Sequence, residues 1–76
     1  MGTKRTTGSN KSFTIWADNW EEASFAADVL DATQDAHGAG NNAFRVMIIP
    51  DQETPFDTCY LTDAATEEIT RRFVVV

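Results

Sequence analysis

Residues 13–30 read FTIWADNWEEASFAADVL, and this stretch decides the fold class because its hydrophobic period changes partway along it. Apolar residues first alternate from Phe13 to Ala17, which is the two-residue period of a half-buried strand. Asp18 and Glu21 then have the spacing of a capping box, in which acids face the positive end of a helix dipole. The sequence therefore predicts a strand that leads directly into a helix.

The helix is expected to continue through residues 19–37, which are rich in alanine and other good helix formers. Gly38 stands where a left-handed residue usually ends a helix. His37 would then lie near the negative end of the helix dipole, where positive charge is tolerated.

Two further strands are expected after the helix. A flexible loop, GAGNN at residues 38–42, precedes an alternating run at residues 44–49 that stops at Pro50. The segment PDQETPFD at residues 50–57 is predicted to be a loop, because its two prolines cannot donate hydrogen bonds to a strand ladder. Residues 58–62 form a short third strand in this prediction.

The C-terminal stretch DAATEEITRRFVVV, residues 63–76, allows two interpretations. Its first half can open a helix, whereas its second half is rich in residues that favour strands. We favour a hairpin that turns near residues 64–67 and ends in a strand from Glu68 or Ile69 to Val75, with a helix over residues 63–72 as the alternative. As an uncovered edge, the terminal valines would invite pairing with another chain, and an internal strand that is already paired is the favoured alternative.

The order β-α-β-β-β predicts an α+β fold in two layers, with one helix packed across one face of an antiparallel sheet. This domain would span residues 12–76, behind a flexible basic leader at residues 1–11 that is polar and lacks apolar periodicity. The core is expected between the apolar arc of the helix and one sheet face. It comprises Phe25, Ala26, Val29, Leu30, Ala32 and Ala36 of the helix and Phe13, Ile15, Phe44, Val46, Ile48 and Leu61 of the strands.

The net charge of −6 is unevenly distributed along the chain. Lys4, Arg5 and Lys11 all belong to the leader, so residues 12–76 contain twelve acids, three arginines and no lysine. Such a surface repels nucleic acid and anionic membranes, and it attracts basic proteins through electrostatic steering. Adaptation to high salt, or solubility alone, is the alternative explanation.

Four acids lie along one side of the predicted helix: Glu21, Asp28, Asp31 and Asp35. On a helical wheel this acidic stripe covers an arc of about 80° and extends over about 21 Å. Its spacing is in the range of phosphates along a nucleic-acid strand, so the stripe predicts a face that imitates DNA or RNA toward a basic protein. An ordinary solvated face of an amphipathic helix is the alternative.

The sheet face turned away from the helix is the second predicted partner-binding surface. Alternation places five side chains on this outer sheet face: Trp16, Arg45, Met47, Ile49 and Tyr60. Aromatic, methionine and arginine side chains are enriched at protein interfaces, so this face predicts binding to a partner or to a second copy in a homodimer. Scattered apolar residues on an open sheet, or a leader that folds over them, are the alternatives.

The sequence predicts neither catalysis nor a cofactor or metal ion. It contains no nucleophile elbow, Gly-rich phosphate loop or His/Cys ligand spacing. Cys59 is interpreted as a small buried hydrophobic residue, and the aspartates of the stripe without a histidine form at best a loose site for a hard cation. A small enzyme or metal binder around His37, Cys59 or these acids is a third hypothesis.

The chain is also expected to be cytoplasmic. No run approaches the roughly 18 apolar residues of a membrane span, and the N-terminus has no apolar run typical of a signal peptide. The single cysteine agrees with a reducing compartment. Direct binding to membranes or to nucleic acid is therefore not expected.

The stretch at residues 13–30 followed by FRVMII at residues 44–49 resembles several small phage-encoded inhibitors, including anti-CRISPR proteins and phage inhibitors of host RNA polymerase. This resemblance covers about half of the chain. It implies an acidic, non-catalytic protein that occupies a basic surface of a nucleic-acid-handling machine, in the host cytoplasm if the chain is phage-encoded. It assigns no role to individual residues, because these inhibitors share no common motif.

Overall fold

The structure is a computed structural model that describes residues 11–76. Its elements are strand β1 (Ser12–Ala17), helix α1 (Trp20–His37), strand β2 (Ala39–Ile48), strand β3 (Asp57–Leu61) and helix α2 (Asp63–Arg72). The expected leader, residues 1–11, lies outside the described residues apart from Lys11, whose carbonyl accepts a 2.8 Å hydrogen bond from the Ala43 amide. The chain is therefore an α+β structure with a three-stranded mixed sheet and two helices.

The three strands lie in the order β1-β2-β3, with β2 in the centre. β1 runs parallel to β2, from Ser12 opposite Ala43 to Ala17 opposite Ile48, whereas β2 and β3 are antiparallel. The predicted fully antiparallel sheet is therefore wrong for β1. The physical reason is that α1 carries the chain back to the start of the sheet, and a helical crossover between neighbouring strands makes them parallel.

The N-cap of helix α1 lies one residue later than predicted from the sequence. Asn19 is the N-cap residue, and its side-chain oxygen accepts a 2.9 Å hydrogen bond from the Glu22 amide. The Glu22 carboxylate accepts from the amide of Asp18, the residue before the N-cap, at 3.0 Å, so Asn19 and Glu22 cap the helix in place of Asp18 and Glu21. At the other end Gly38 has a φ of 84°, and the predicted end of the helix is confirmed.

Strand β2 begins at Ala39, so residues 39–42 of the GAGNN segment belong to a strand and not to the expected flexible loop. The pairing is irregular here, because Ala39 and Asn42 both lie opposite Leu61 of β3. Gly40 lies inside this bulge, and a Cβ at that position would collide with the Leu61 carbonyl. The close approach of the two backbones therefore requires glycine, which the sequence pattern did not reveal.

Residues 63–72 form helix α2, so the favoured hairpin and its last strand are wrong. The Thr62 side chain caps this helix by accepting from a first-turn amide at 3.1 Å. The side-chain amide of Asn42 donates 2.9 Å hydrogen bonds to Asp63 and Thr66, which belong to the first turn of α2. These bonds come from the bulge of β2, so a long-range contact outweighs the strand propensity of the following residues.

The C-terminal valines run from the end of α2 to the edge of β1. Thr14 and Val76 exchange two backbone hydrogen bonds of 2.9 and 3.0 Å, which is the pattern of an antiparallel pair. The segment is thus paired with β1, but it lies at the outer edge of the sheet and is not the internal strand favoured from the sequence, because α2 takes the place of that strand. Val74 and Val76 themselves are largely exposed.

The core is formed by buried residues of all three strands and both helices. Its buried residues are Ile15, Ala17, Phe44, Val46, Cys59 and Leu61 of the strands and Ala23, Ala26, Leu30, Ala65 and Ile69 of the helices. Helix α1 is rotated relative to the predicted apolar arc: Phe25 is 58% exposed, and Ala32 and Ala36 are also exposed. The buried side of α1 is formed instead by Ala23, Ala26, Ala27, Leu30 and Thr33.

Candidate functional site

The acidic stripe lies on the exposed side of α1. Its four acids are exposed, and within residues 11–76 none of them forms an ion pair. The two ends of the helix are fixed by the caps, and Leu30 is completely buried in the core on the opposite side. The carboxylates therefore stand on a rigid scaffold and keep their charge available for a basic partner.

Asp31, at the edge of the stripe, takes part in a cluster that the sequence did not predict. The Cys59 thiol donates to its carboxylate at 3.0 Å and lies 3.7 Å from a carboxylate oxygen of Asp57. Burial, the hydrogen bond to Asp31 and the negative charge of Asp57 raise the pKa of the Cys59 thiol far above its ordinary value. The thiol is therefore protonated at neutral pH and unsuited to nucleophilic attack.

Asp31, Asp57 and Cys59 also form a possible set of metal ligands, since their donor atoms lie within 4.8 Å of one another. A thiol with two carboxylates suits a divalent transition ion such as zinc, although binding would require the thiol to lose its proton. The only signal in the sequence is that Asp57 and Cys59, two apart in a strand, share a face. His37 contributes no ligand here, because its ring contacts Glu68 of α2 at 3.5 Å.

The outer sheet face is smaller than predicted. Trp16, Ile49 and Tyr60 are between 39% and 49% exposed, and Arg45 is exposed as well. Met47 contradicts the prediction, because only 4% of its surface is exposed. It belongs to the central strand and lies opposite Trp16 of β1, so it has a neighbouring strand on either side, whereas the other residues of this face are at edges or strand ends or have long side chains.

A third surface, missed by the sequence analysis, is an apolar cleft between the start of α1 and the loop at residues 49–56. It has a volume of about 580 Å³. Five side chains form its apolar walls: Trp20, Ile48, Pro50, Pro55 and Phe56. The Trp20 and Phe56 rings meet edge to face with their centroids 5.3 Å apart, yet Trp20 is 68% exposed. This Trp20 cleft is therefore open to a partner.

The loop wall of the Trp20 cleft is held in place by local hydrogen bonds. The Asp51 carboxylate accepts from the backbone amides of Glu53 and Thr54 at 3.1 and 3.4 Å, which is the pattern of an Asx-turn. At the end of the loop the Phe56 amide donates to the Val46 carbonyl of β2 at 2.7 Å. The cleft is thus built from a helix end and a loop that is anchored to the sheet.

Compared with protein-family models, with curated protein sequences and with solved structures, the chain matches none of them. Neither helix in the described part of the chain is long and apolar enough to cross a membrane. Three surfaces of the described residues are candidates for binding a partner: the acidic stripe, the outer sheet face and the Trp20 cleft.

Proposed function

We propose that the chain is a cytoplasmic, non-catalytic interaction module of the kind encoded by phages, which binds a basic surface of a nucleic-acid-handling protein. The observation that carries the proposal is the acidic stripe, whose four exposed carboxylates form no ion pair within residues 11–76. Carboxylates at the spacing of phosphates compete for the lysines and arginines that would otherwise hold nucleic acid.

The arrangement of the helices supports this proposal. In this proposal, both helices form one layer on the sheet face opposite the outer sheet face. The acidic stripe then lies on the side of α1 that is turned away from the sheet. The Gln34 side chain donates to the Tyr60 carbonyl of β3 at 3.0 Å and helps to fix the rotation of α1. A charged surface that is rigid before binding loses less conformational entropy when a partner binds.

The distribution of positive charge also supports a basic partner. In residues 12–76 the three arginines are Arg45, Arg71 and Arg72. Arg45 lies in β2, and Arg71, at the end of α2, contacts Glu67 at 3.5 Å. Arg72 borders a groove between the helices that also includes Asp28, and within residues 11–76 no acid of the stripe forms an ion pair.

The test compares two variants with the same net charge that differ only in where the charge is changed. The stripe variant carries Asp28→Lys and Asp35→Lys, and it leaves Asp31 intact because that residue binds Cys59. The control variant carries Ala64→Lys, Glu67→Lys and Thr70→Lys, all at exposed positions of α2. Each variant, and the wild type, is used to capture proteins from a lysate of the host cell, at low and at high salt.

The proposal expects the wild type and the control variant to retain the same basic nucleic-acid-binding protein at low salt, and to release it at high salt. The stripe variant should not retain it. The purified partner should then lose bound DNA or RNA when the wild-type chain is added. Equal retention by the stripe variant, or a partner whose nucleic acid is not displaced, would count against the proposal.

A homodimer formed through the outer sheet face is the second candidate function. It is favoured by the exposed apolar surfaces of Trp16, Ile49 and Tyr60 on that face. Sedimentation at increasing concentration should then show a dimer that Trp16→Glu dissociates and Thr70→Glu, on α2, does not. A monomer at all concentrations would exclude self-association.

A further inference from the structure

We infer that the Trp20 cleft receives one apolar side chain from the basic partner, so that this partner is held by a buried anchor as well as by charge. The inference rests on the proposed function for the class of partner, and it adds the place where the partner is fixed. The occupant is a segment with an aromatic or large aliphatic residue that is followed by lysines or arginines.

The shape and chemistry of the cleft fit such an anchor. A volume of about 580 Å³ exceeds the size of any single side chain, so an aromatic ring can enter without rearrangement of the walls. Most of the wall is apolar, and it ends in the exposed ring of Trp20. Tryptophan is one of the residue types that are enriched at binding hot spots.

The charge around the cleft selects the residues that flank the anchor. Asp51 is the single charged residue that lines it, and Thr54 is the other polar one. Asp18, Glu21 and Glu53 stand close by in the chain and are exposed. An anchor flanked by lysine or arginine is therefore attracted, an anchor flanked by acids is repelled, and the Trp20 ring can also accept a cation on its face.

The cleft also continues into the acidic stripe. Trp20 directly precedes Glu21, and eleven helical residues place Asp31 about 20° from Trp20 on the wheel and about 16 Å further along. On the loop side, Phe56 is followed by Asp57, which lies beside Asp31 at Cys59. An extended segment of about five residues spans this distance, so one partner segment can reach both surfaces.

The experiment uses two synthetic peptides, one with a phenylalanine followed by six lysines and one with a serine in place of the phenylalanine. Calorimetry at low salt measures the affinity of each for the full chain. Burial of the phenylalanine should make the first peptide bind about tenfold tighter than the second. Trp20→Ala should remove this advantage, whereas Trp16→Ala, which truncates the tryptophan of the outer sheet face, should preserve it.

Fluorescence gives a second reading that does not depend on affinity. A Trp16→Phe variant keeps Trp20 as its single tryptophan, and its emission should shift to shorter wavelength with the phenylalanine peptide but not with the serine peptide. Unchanged emission with both peptides would contradict an anchor in the cleft.

The outcomes separate the inference from the proposed function. If both peptides bind the wild type equally and the stripe variant binds neither, the inference is overturned and the proposed function stands. If the phenylalanine peptide binds tighter in a way that depends on Trp20, but the stripe variant binds it as tightly as the wild type, the proposed function is overturned and the apolar site stands. Binding of neither peptide would overturn both.

Discussion

The Cys59 thiol of β3 donates a 3.0 Å hydrogen bond to the Asp31 carboxylate of α1, and this bond joins the sheet to the helix at the edge of the acidic stripe. A hydrogen bond to a charged acceptor stabilises a fold more than one between neutral groups. Asp31 therefore differs from the other acids of the stripe, because it contributes to folding as well as to surface charge.

Replacement of Asp31 by alanine should lower the free energy of unfolding by about 1–2 kcal/mol, because the buried Cys59 thiol loses its acceptor. Asp28→Ala should change it by less than about 0.5 kcal/mol, since that carboxylate is exposed. Urea denaturation measures both. Equal effects of the two substitutions would show that the bond to Cys59 is not a stabilising contact.

The raised pKa of Cys59 predicts how stability depends on pH. Above pH 9.0, the ordinary value for a thiol, the unfolded chain loses this proton while the folded chain keeps it. The contribution of the protonated thiol to the free energy of unfolding is therefore complete below that pH and is lost as the pH rises above it. Denaturation from pH 8 to 11 should show a decline that is shallower in Cys59→Ser, and identical slopes would contradict the assignment.

Cys59 should also react slowly with thiol reagents in the folded protein, because it is buried and protonated. The same reagent should react quickly once the chain is unfolded in denaturant. The ratio of the two rates measures the protection, and a ratio near one would show that the thiol is exposed.

The hydrogen bonds at the start of α2 predict that Asn42 contributes much more to stability than its neighbour Asn41. Asn42→Ala removes two side-chain hydrogen bonds to α2 and should cost about 1–3 kcal/mol of unfolding free energy, together with helical circular dichroism. Asn41→Ala, at an exposed position of the same strand, is the matched control and should cost little. Comparable losses in both would mean that Asn42 does not hold α2 in place.

The two glycines at the α1–β2 junction should differ in their tolerance of alanine. An alanine at position 38 has free space around it but an unfavourable φ of 84°, so Gly38→Ala should lower the free energy of unfolding by about 1 kcal/mol. Gly40→Ala should cost about 2 kcal/mol or more, because its Cβ would collide with the backbone of β3. Thermal denaturation compares them, and the reverse order would disprove the bulge geometry.

The first half of the chain was well predicted because its signals are local. The change of period after Ala17, the acids of the first turn and Gly38 all act within a few residues, so β1 and α1 appear close to their expected bounds. The exposure of the acidic stripe follows from the same helical geometry. The cap moved by one residue because Asn19 and Glu22 satisfy the same spacing rule as Asp18 and Glu21.

The second half was predicted less well, because its structure depends on distant contacts. Local propensity in residues 63–76 is balanced between helix and strand, and the helix is favoured by the bonds from Asn42 together with the burial of Ala65 and Ile69. The burial of Met47 follows from its central strand position, which depends on the order of the strands. No local pattern reveals either of these relationships.

The sequence by itself determined the α+β class, the bounds of β1 and α1 and the placement of the acids, because periodicity, caps and charge act at short range. The tertiary structure alone decided that β1 and β2 are parallel, that α2 is helical, and that Asp31 meets Cys59. It also brought Trp20 and Phe56 together as the walls of a cleft. The residues that meet in these contacts are far apart in the chain, so the contacts exist only once the sheet and helices have packed.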